Sequence, residues 1–584
     1  MAQTASSGGS GMPPSIEWRP WGHAAFEEAV RRDRPVLLNL TAVWCWFCRE
    51  MEETTFADPE RAALVNAEFV PVRVDVDRLP HVQERYIAGG WPTNTFLTPT
   101  GEVLWAGTYV EPAEFDEVAR GVHAAWEDRR GELRLEVERR RKALDAARNR
   151  LPSMALVRRE AADDVVSGAR HAFDARNGGF GEAPKFPYPD AIDLLLTEAR
   201  LAGDDAYVDM ADRTLDGILA GDLWDDVDGG FFRYALAGDW TDPRREKLLE
   251  PNASLLRGFA LGAAVRGRAD WRARAEAVVE WAEATLRRAD GLWAASQLAE
   301  DEYWSLDAAA RRARRAPGAD AVLYAAPNAY WIRALVEAGA RLGRPEWVER
   351  GAEALPRLLR AFAAPDDMLC HCIDPGEPPA APGLLLDALE AARACIALTQ
   401  ATGRADFLAE ARRLTGGMER ALWAENGGFY DHIRSDDDVA ALRYRDRPFE
   451  ANADAARLLL DLHYATGERS YRALAERILS SFSPLAGRYE IAGAAFALGV
   501  EEFFEPPLTV VLVGAPEATA ELRAAAFGLP EPALRVWTLA GGGRILGRNF
   551  PASAAPAAYV CGHHGASAPV SDPAALADAL PGAR

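Results

Sequence analysis

The stretch "PVLLNLTAVWCWFC" (residues 35–48) joins an apolar run to two cysteines, Cys45 and Cys48, that are separated by two residues. The run predicts a buried strand over Pro35–Leu40, and the cysteines follow where a loop opens a helix. A cysteine at a helix N-terminus is stabilised as thiolate by the helix dipole and by unpaired backbone N–H groups. The pattern favours a redox-active thiol pair. Buried structural thiols and a metal clip are the alternatives, although the nearby histidines lack the spacing of zinc ligands.

The segments on both sides of this stretch complete an alternating α/β pattern. The predicted elements are a helix at His23–Arg32, a helix from the cysteines onward with a break at Ala57–Pro59, a strand at Phe69–Asp77, and two strands at Thr93–Thr98 and Val103–Gly107. This order is that of a thioredoxin-like domain, which we assign to residues 17–125. Trp91-Pro92 precedes a strand, as the cis-proline of such folds does, so Trp44, Trp91 and Pro92 are predicted to lie beside the thiols.

The same segment resembles the thioredoxin domain of the spermatogenesis-associated protein 20-like family. The residues that carry the resemblance are Cys45, Cys48, Met51, Glu52, Phe56, Asp77, Pro80, Gly89, Gly90, Trp91 and Pro92. The chain departs from the family pattern at Trp46, Phe47 and Arg49, where both histidines of the pattern are gone. Because Trp46 and Phe47 add no positive charge between the thiols, the comparison implies a pair that is less acidic and more reducing than in its relatives.

After Phe115 the chain becomes strongly helical, and a charged stretch at residues 126–154 is predicted to be a helical linker. From residue 155 to 503, apolar helices alternate with loops that carry a recurring glycine–aromatic mark. Its six copies are "NGGFGEAPKFP" at 177, "DGGFFRY" at 228, "DGLW" at 290, "DDMLCHC" at 366, "NGGFY" at 426 and "AGRYEIA" at 486. Units of about 60 residues hold two helices each and must stack to bury their apolar faces. Six units predict an (α/α)6 toroid, with an open solenoid as the alternative.

The loops of this predicted barrel are rich in acidic and aromatic side chains. Such loops suit carbohydrate, because sugars stack on rings and form hydrogen bonds through their hydroxyls, and paired carboxylates are what glycosidic cleavage needs. The candidate catalytic residues here are Glu246, Lys247 and Asp431, and the candidate substrate-binding residues are Phe180, Glu182, Lys185, Phe186, Phe231, Tyr234, Trp240, Tyr430 and His432. Lys185 and Lys247 are two of only three lysines in the chain, and a lysine, unlike an arginine, can lose its proton. Chance placement of these lysines is the alternative.

The helical region also resembles the spermatogenesis-associated protein 20-like family. The strings that carry this resemblance are "GGFGEAPKFP" and "DWTDPRREKLLEPNASL". The resemblance implies a six-hairpin glycosidase-like barrel, similar to N-acylglucosamine 2-epimerases. Arg244 and Pro251 stand where the family has a histidine and an aspartate, so an inherited sugar chemistry does not follow from the resemblance alone. The last residues, 504–584, are predicted to form a small α/β region.

Composition narrows the possible partners and the compartment. The chain of 584 residues carries a net charge of −22, which argues against nucleic acid or an anionic membrane as a partner. Six cysteines are too few for a disulfide scaffold, the first residues lack the features of an export signal, and there is no apolar run of the length that a membrane span needs. We therefore expect a cytoplasmic protein without a cofactor or a bound metal.

Three functions are compatible with these features. In the first, the protein is a thiol–disulfide oxidoreductase whose Cys45 attacks a disulfide and whose Cys48 resolves the intermediate, while the barrel holds a disulfide-containing protein or a small ligand. In the second, the barrel is a carbohydrate isomerase or hydrolase and the thioredoxin-like domain is regulatory or structural. In the third, the protein binds a ligand and catalyses no reaction.

Overall fold

The computed structural model describes residues 15–148, 156–298, 300–562 and 565–582. The chain divides into two compact units. The first comprises residues 1–150 together with 434–445, and the second comprises residues 151–433 together with 446–584. Within the described ranges, no helix combines the length and the apolar character that a membrane crossing requires.

The first unit is built on a four-stranded sheet. Its helices and strands in chain order are α1 (His23–Arg32), β1 (Val36–Thr41), α2 (Trp46–Glu53), α3 (Pro59–Glu68), β2 (Val70–Asp75), α4 (Pro80–Tyr86), β3 (Thr93–Leu97), β4 (Val103–Gly107) and α5 (Pro112–Arg148). The strand order is β2-β1-β3-β4, in which β1 pairs parallel with β2 and antiparallel with β3. The predicted thioredoxin-like fold is thereby confirmed.

Local sequence explains where the elements of this sheet begin and end. β1 is an inner strand of the sheet, and its residues from Val36 to Leu40 are all buried, which is why its sequence is apolar except at Asn39. The break between α2 and α3 comes from Asp58, whose carboxylate accepts hydrogen bonds from the N–H groups of Glu60 and Arg61 at 2.8 and 3.0 Å. This cap, with Pro59 in the first turn, starts a new helix where the sequence predicted the break.

Residues 434–445, the strap segment, belong to the first unit, although the sequence placed them inside the barrel at 155–503. The N–H of Ala441 donates to the Tyr86 hydroxyl at 3.0 Å, and that hydroxyl donates to the carbonyl of Gly101 at 2.8 Å. Gly101 has a φ of +97°, and a Cβ at this position would lie 2.1 Å from the Cβ of Ala440. The strap segment therefore packs closely on the loop between β3 and β4 because that loop carries a glycine.

The charged stretch predicted as a helical linker over 126–154 is the second half of α5. This helix continues from the sheet to Arg148, with one residue, Arg129, outside helical geometry at φ −124°. Residues 149–154 of the predicted linker lie outside the described residues. The described part of the stretch is therefore helical, and the kink at Arg129 separates most of it from the first half of α5.

The second unit consists largely of helices. They are α6 (Glu160–Ala172), α7 (Pro189–Ala202), α8 (Asp205–Ala220), α9 (Leu249–Arg266), α10 (Ala269–Thr285), α11 (Asp301–Trp304), α12 (Ala308–Arg312), α13 (Ala325–Leu342), α14 (Pro345–Ala361), α15 (Leu385–Thr402), α16 (Ala405–Leu422), α17 (Phe449–Thr466), α18 (Arg469–Phe482), α19 (Ala494–Phe504) and α20 (Ala520–Phe527). Short strands in its loops are β5 (Tyr234–Ala235), β6 (Pro243–Arg244), β7 (Leu323–Tyr324), β8 (Cys370–Ile373) and β9 (Ala380–Pro382).

Six helices of this unit form a closed inner ring. They are α7, α9, α13, α15, α17 and α19; each contacts the next, and α19 contacts α7. The outer helices α8, α10, α14, α16 and α18 each pack on the inner helix before them, and α6 packs on α19. The contact between α19 and α7 closes the ring, so the predicted (α/α)6 toroid is confirmed and the open solenoid is excluded.

The six glycine–aromatic marks all lie on connections from an outer helix to the next inner helix. They are therefore at the same end of the barrel, which we call the mouth. The opposite connections are short and begin at a glycine in left-handed conformation: Gly203, Gly267, Gly343, Gly403 and Gly467, with φ between 64° and 76°. A left-handed glycine ends a helix without the steric cost that a side chain would bring. The connections at the two ends of the barrel thus carry different patterns: the glycine–aromatic marks at the mouth and single left-handed glycines at the opposite end.

The last part of the chain forms a small sheet that packs against the barrel. Its strands are β10 (Leu508–Val513), β11 (Leu534–Leu539), β12 (Gly543–Ile545), β13 (Arg548–Phe550), β14 (Ala557–Gly562) and β15 (Gly565–Ala566). The main sheet has the order β11-β10-β14-β15, and β11 contacts α15 while α20 contacts α13. This lobe, the C-terminal lobe, is the predicted small α/β region.

Candidate functional site

The two cysteines of the first unit lie at the start of α2. Cys45 is the N-cap residue of this helix, and its Sγ accepts a hydrogen bond from the N–H of Cys48 at 3.4 Å. Both side chains are buried. A sulfur that caps a helix receives the partial positive charge of the helix N-terminus, and this charge favours the thiolate over the thiol. Of the two thiols, Cys45 is therefore the one at the helix N-terminus.

Aromatic side chains surround the start of this helix. The indole N–H of Trp44 donates to the Asp77 carboxylate at 2.7 Å, and its ring packs edge-on against Trp91 with centroids 5.3 Å apart. Trp91 is joined to Pro92 by a cis peptide bond, as the sequence predicted. Trp46 contacts Phe47, so the two residues between the thiols bring aromatic surface and no positive charge.

A buried pair of amides lies in the sheet of the same unit, and sequence reasoning missed it. Asn39 on β1 donates from Nδ2 to Oδ1 of Asn94 on β3 at 3.0 Å, and Asn94 donates to the Thr108 carbonyl at 2.9 Å. Both asparagines are almost fully buried. Their hydrogen bonds fix the pairing of β1 with β3 by side chains as well as by backbone, and β1 leads directly to Cys45. The sequence offered one indication of this pair, namely the polar Asn39 inside the otherwise apolar run of β1.

The two lysines predicted as site residues each hold a Gly-Gly turn at the mouth of the barrel. Lys185 is fully buried, and its ammonium donates to the Asp174 carboxylate at 2.5 Å and to the Gly238 carbonyl at 2.7 Å. Burial alone would raise the pKa of Asp174, but hydrogen bonds from Lys185 and Asn177 outweigh it and hold that pKa well below its ordinary value. Lys185 thus acts as an internal tie for the turn at residues 177–179.

Lys247 repeats this arrangement at the next turn. Its ammonium donates to the Asp225 carboxylate and to the Gly229 carbonyl, both at 2.5 Å. Arg311 also binds Asp225 through two nitrogens, at 2.9 and 2.5 Å. Burial lowers the pKa of Lys247 to about 8, although Asp225 opposes the shift. Arg311 also binds the Asp228 carboxylate, at 2.5 Å, so two carboxylates balance the two buried cations, and the lysine is fully engaged within the protein.

A buried asparagine fixes the aromatic residue of three of the six marks. Asn252 accepts from the N–H of Phe231 at 2.7 Å and donates to the carbonyls of Phe231 and Leu248 at 3.0 and 2.8 Å. Asn328 and Asn452 form the same three bonds in their own units. Each asparagine is the fourth residue of an inner helix. Each asparagine thus links a turn at the mouth to an inner helix. It follows the aromatic residue by 21, 35 and 23 residues in the three units, so no fixed spacing marks it in the sequence.

The predicted substrate-binding aromatics divide into buried and exposed groups. Phe180, Phe231 and Trp240 belong to the hydrophobic core of the second unit, where they support the Gly-Gly turns. Phe186 is 37% exposed and stacks on Tyr234, with ring centroids 4.4 Å apart and planes 22° apart. This stacked pair is a partly exposed aromatic surface in the loops of the mouth, and Glu182, an exposed side chain, lies in the same loop as Phe186.

The candidate acid Glu246 lies beside this aromatic pair. Its carboxylate is 3.1 Å from Nε of Arg233, and the guanidinium of Arg233 lies 4.9 Å from the ring centroid of Tyr234. Glu246, Arg233 and the stacked pair therefore form one continuous polar and aromatic surface. The structure brings together four side chains from two loops, three of which the sequence had named.

Asp431 and His432 form a second buried polar group at the mouth, and Tyr430 precedes them half-buried. The carboxylate of Asp431 lies 2.9 Å from Nδ1 of His432 and accepts a hydrogen bond from the N–H of Asp446 at 3.1 Å. The backbone N–H of Leu385, at the start of α15, donates to the Asp431 carbonyl at 2.8 Å. Both predicted residues therefore lie next to the first turn of an inner helix.

A histidine–aspartate pair that the sequence did not single out lies on the other side of that turn. Nδ1 of His371 on β8 is 2.9 Å from Oδ1 of Asp387, and the N–H of Ala326 donates to the same oxygen at 2.9 Å. Both side chains are buried. The carboxylate fixes the orientation of the imidazole through Nδ1. The motif "CHC" at 370–372 contains His371, but the sequence does not indicate its pairing with Asp387, which is sixteen residues away.

Comparison with known proteins places the barrel in a family. The model of the family described as N-acylglucosamine 2-epimerase matches residues 134–445, which is more than half of the chain. The chain belongs to the N-acylglucosamine 2-epimerase family. A second model, thioredoxin-like and described as a protein of unknown function (DUF255), matches residues 11–145. The two matches correspond to the two folds that the sequence predicted.

Curated relatives confirm the resemblance to spermatogenesis-associated protein 20. The human protein of that name is 29% identical over 302 residues, which cover 47% of this chain and 38% of the relative. An uncharacterized protein of Caenorhabditis elegans is 30% identical over 266 residues, which cover 42% of this chain and 36% of the relative. The matches thus span less than two fifths of the length of either relative.

Solved structures similar to the epimerase-family barrel include sugar-converting enzymes. A cellobiose 2-epimerase from Bacillus thermoamylovorans has a TM-score of 0.47 at 11% identity, covering 58% of this chain and 98% of its own. A D-mannose isomerase has a TM-score of 0.45 at 13% identity, covering 55% and 85%.

Proposed function

We propose that the first unit is a thiol–disulfide exchange module. The observation that carries the proposal is the position of Cys45, whose sulfur caps α2 and accepts the N–H of Cys48 at 3.4 Å. The Cys45 thiolate attacks one sulfur of a substrate disulfide, and the other sulfur leaves as a thiolate that takes up a proton. The Cys48 thiolate then attacks Cys45 in the mixed disulfide, so the substrate is reduced and the pair is oxidised. A disulfide-containing protein is the proposed partner.

The compartment proposed for this reaction is the reducing cytoplasm. Six cysteines in 584 residues are few, as is usual for a protein of a reducing compartment. The residues between the two thiols, Trp46 and Phe47, carry no positive charge, and such a dithiol pair suits a reductant. A reductant must itself be reduced again after each turnover, and cytosolic thiol pools supply that electron pair.

Replacing Cys45 with serine is expected to abolish disulfide reduction, because the hydroxyl is not a nucleophile toward sulfur. Reduction of insulin by the pre-reduced protein, followed by turbidity, measures the effect. Cys48→Ser is expected to stop the reaction one step later, so a mixed disulfide with the substrate accumulates and is visible by mass spectrometry. Cys395→Ser is the matched control, since this buried thiol lies in the barrel core. Equal activity of the wild type and Cys45→Ser would disprove the proposal.

A second candidate function belongs to the barrel, and the His371–Asp387 pair is the observation that favours it. We propose that the mouth of the epimerase-family barrel isomerises a sugar by proton transfer. The imidazole of His371 removes the proton from the carbon next to the carbonyl of the open-chain sugar, and the electron pair moves to the carbonyl oxygen, which gives an enolate. Water then protonates that carbon from the opposite face and inverts it, and the imidazolium of His371 returns its proton to the hydroxide that is left. The exposed pair Phe186–Tyr234 supplies a stacking surface for the ring.

His371→Gln is expected to lower the rate of this proton transfer by a factor of about 10² to 10⁴, the usual contribution of a general base. The measurement is loss of the proton signal at carbon 2 in D2O, followed by NMR for N-acetylglucosamine, mannose and cellobiose. His463→Gln is the matched control, because His463 bonds only the Glu468 carbonyl near the end of α17. If the wild type exchanges the proton of none of these sugars, or if both variants exchange it equally, the role of His371 is refuted.

A further inference from the structure

An arginine layer crosses the inside of the barrel. Arg257, Arg333, Arg393 and Arg457 are each the ninth residue of their inner helix, α9, α13, α15 and α17. All four line one cavity of about 140 Å³, which is bounded on its other side by Phe527, Pro532, Leu534 and Arg535 of the C-terminal lobe. The helical repeat thus places four arginines at one level of the barrel, where they line this cavity.

The carboxylates that line this cavity all have an arginine partner. Asp190 and Glu337 bind Arg257 at 2.9 and 2.7 Å. Asp461 binds Arg535 at 2.5 Å, and Asp193 lies 3.7 Å from Arg457. The acidic side chains around the cavity are therefore already neutralised by named cations.

Arg341 is the exception among the arginines that line the cavity. It lies in the last turn of α13, and its guanidinium donates to the carbonyls of Glu531 and Pro532 at 2.7 and 2.9 Å. Among the residues that the structure describes, no carboxylate lies within 4.0 Å of it. Burial lowers the pKa of Arg341 to about 10, since Asp193 and Glu337 attract its charge only from a distance. Its positive charge is thus incompletely compensated by the protein.

Gln400 adds a neutral donor to the same cavity. This residue of α15 is buried and lines the cavity with Arg341. Its Oε1 accepts the N–H of Val536 at 3.4 Å, which leaves the –NH2 group of the same side chain as a donor. A guanidinium and an amide then face a space several times the ~30 Å³ that a water molecule occupies in the liquid.

We propose that this cavity is a binding site for a small anion that carries a phosphate or a carboxylate group. Arg341 supplies the charge, in the planar geometry that binds two oxygens of such groups, and Gln400 supplies a further donor. Both residues are in the C-terminal halves of inner helices, whereas the candidate catalytic groups are at the mouth. The site is therefore separate from both proposed activities, and it joins the barrel to the C-terminal lobe.

Calorimetric titration of the full chain with inorganic phosphate and, separately, with acetate tests this site at constant ionic strength set by sodium chloride. Wild type is expected to bind at least one of the two anions saturably and to melt at a higher temperature as that anion is added. The two arms show whether phosphate or carboxylate is preferred. Arg341→Met is expected to weaken binding at least tenfold. Arg272→Met is the matched control, because Arg272 also donates to a backbone carbonyl, that of Leu342 at 2.7 Å, but does not line the cavity.

Gln400→Leu provides the test if Arg341→Met does not fold. This variant keeps the arginine and removes the second donor, so binding is expected to weaken several-fold while the melting temperature without anion changes little. Absence of saturable binding of both anions to the wild type would overturn the proposal. Binding of equal strength to wild type and to each folded variant would overturn it as well.

Discussion

Asp225→Ala is expected to lower the free energy of unfolding by about 3–5 kcal/mol, the cost of removing one partner from a buried ion pair. The carboxylate of Asp225 binds both Lys247 and Arg311, and all three side chains are buried. Its removal takes away the carboxylate that pairs with the buried ammonium of Lys247, whereas Arg311 keeps its ion pair with Asp228. Urea denaturation followed by tryptophan fluorescence measures the loss, and hydrogen exchange of the turn at residues 225–230 locates it.

Two companion variants make this result specific to the ion pair. Asp226→Ala, at the exposed neighbouring position, is expected to change the free energy of unfolding by less than about 0.5 kcal/mol. The double variant Asp225→Ala/Lys247→Met also removes the cation that has lost its carboxylate, and it is expected to recover part of the stability. A loss for Asp225→Ala no larger than that for Asp226→Ala would show that the buried pair contributes little.

The fold of the first unit could be predicted because its signals are local. A buried inner strand, a capping cysteine and a proline before the next strand are each readable within a few residues, and the four strands and the first helix were placed to within two residues. The helix α4 (Pro80–Tyr86) was not predicted, and α2 ends at Glu53, before the expected break at Ala57–Pro59. The strap segment could not be predicted this way. Its place in the first unit depends on Tyr86 and Gly101, which are more than 300 residues away along the chain, and no local pattern marks that pairing.

The barrel was predicted from a repeat, but the repeat does not show which side chains of each turn belong to the candidate site. A glycine–aromatic turn marks where the chain reverses, but it does not tell whether the aromatic ring points to the core or to the mouth. Phe231 and Phe186 lie in similar loops, yet the first is in the core and the second is exposed. The rarity of lysine drew attention to Lys185 and Lys247, and both turned out to be ties for turns, because a buried ammonium can satisfy a carboxylate and a carbonyl at once.

The candidate chemistry at the mouth was partly hidden because it depends on pairs. His432 is next to Asp431 in sequence, so this pair was visible. His371 finds Asp387 only when β8 meets the first turn of α15, sixteen residues later. A second repeat in the sequence was not used. A left-handed glycine follows each of five inner helices, and the arginines of the arginine layer lie at the same distance before that glycine in four of them.

Asn252→Ala is expected to lower the free energy of unfolding by about 2–4 kcal/mol. The side chain of Asn252 forms three hydrogen bonds that no water can replace at a fully buried position, and the N–H of Phe231 would lose its partner. An unsatisfied buried donor costs about 1–3 kcal/mol, and the lost bonds to two carbonyls add to it. Because Phe231 is itself a core residue, loss of the tie should also raise hydrogen exchange throughout the turn before α9.

The equivalent asparagines provide an internal test of this prediction. Asn328→Ala and Asn452→Ala remove the same three bonds in other units, so they are expected to cost similar amounts and to loosen only their own turns. Asn549→Ala, at an exposed position on β13, is the control and should be nearly neutral. If one of the three variants were neutral while the others were costly, the tie would be dispensable in that unit. If all three were neutral, the turns would be held by the lysine and arginine contacts and by core packing alone.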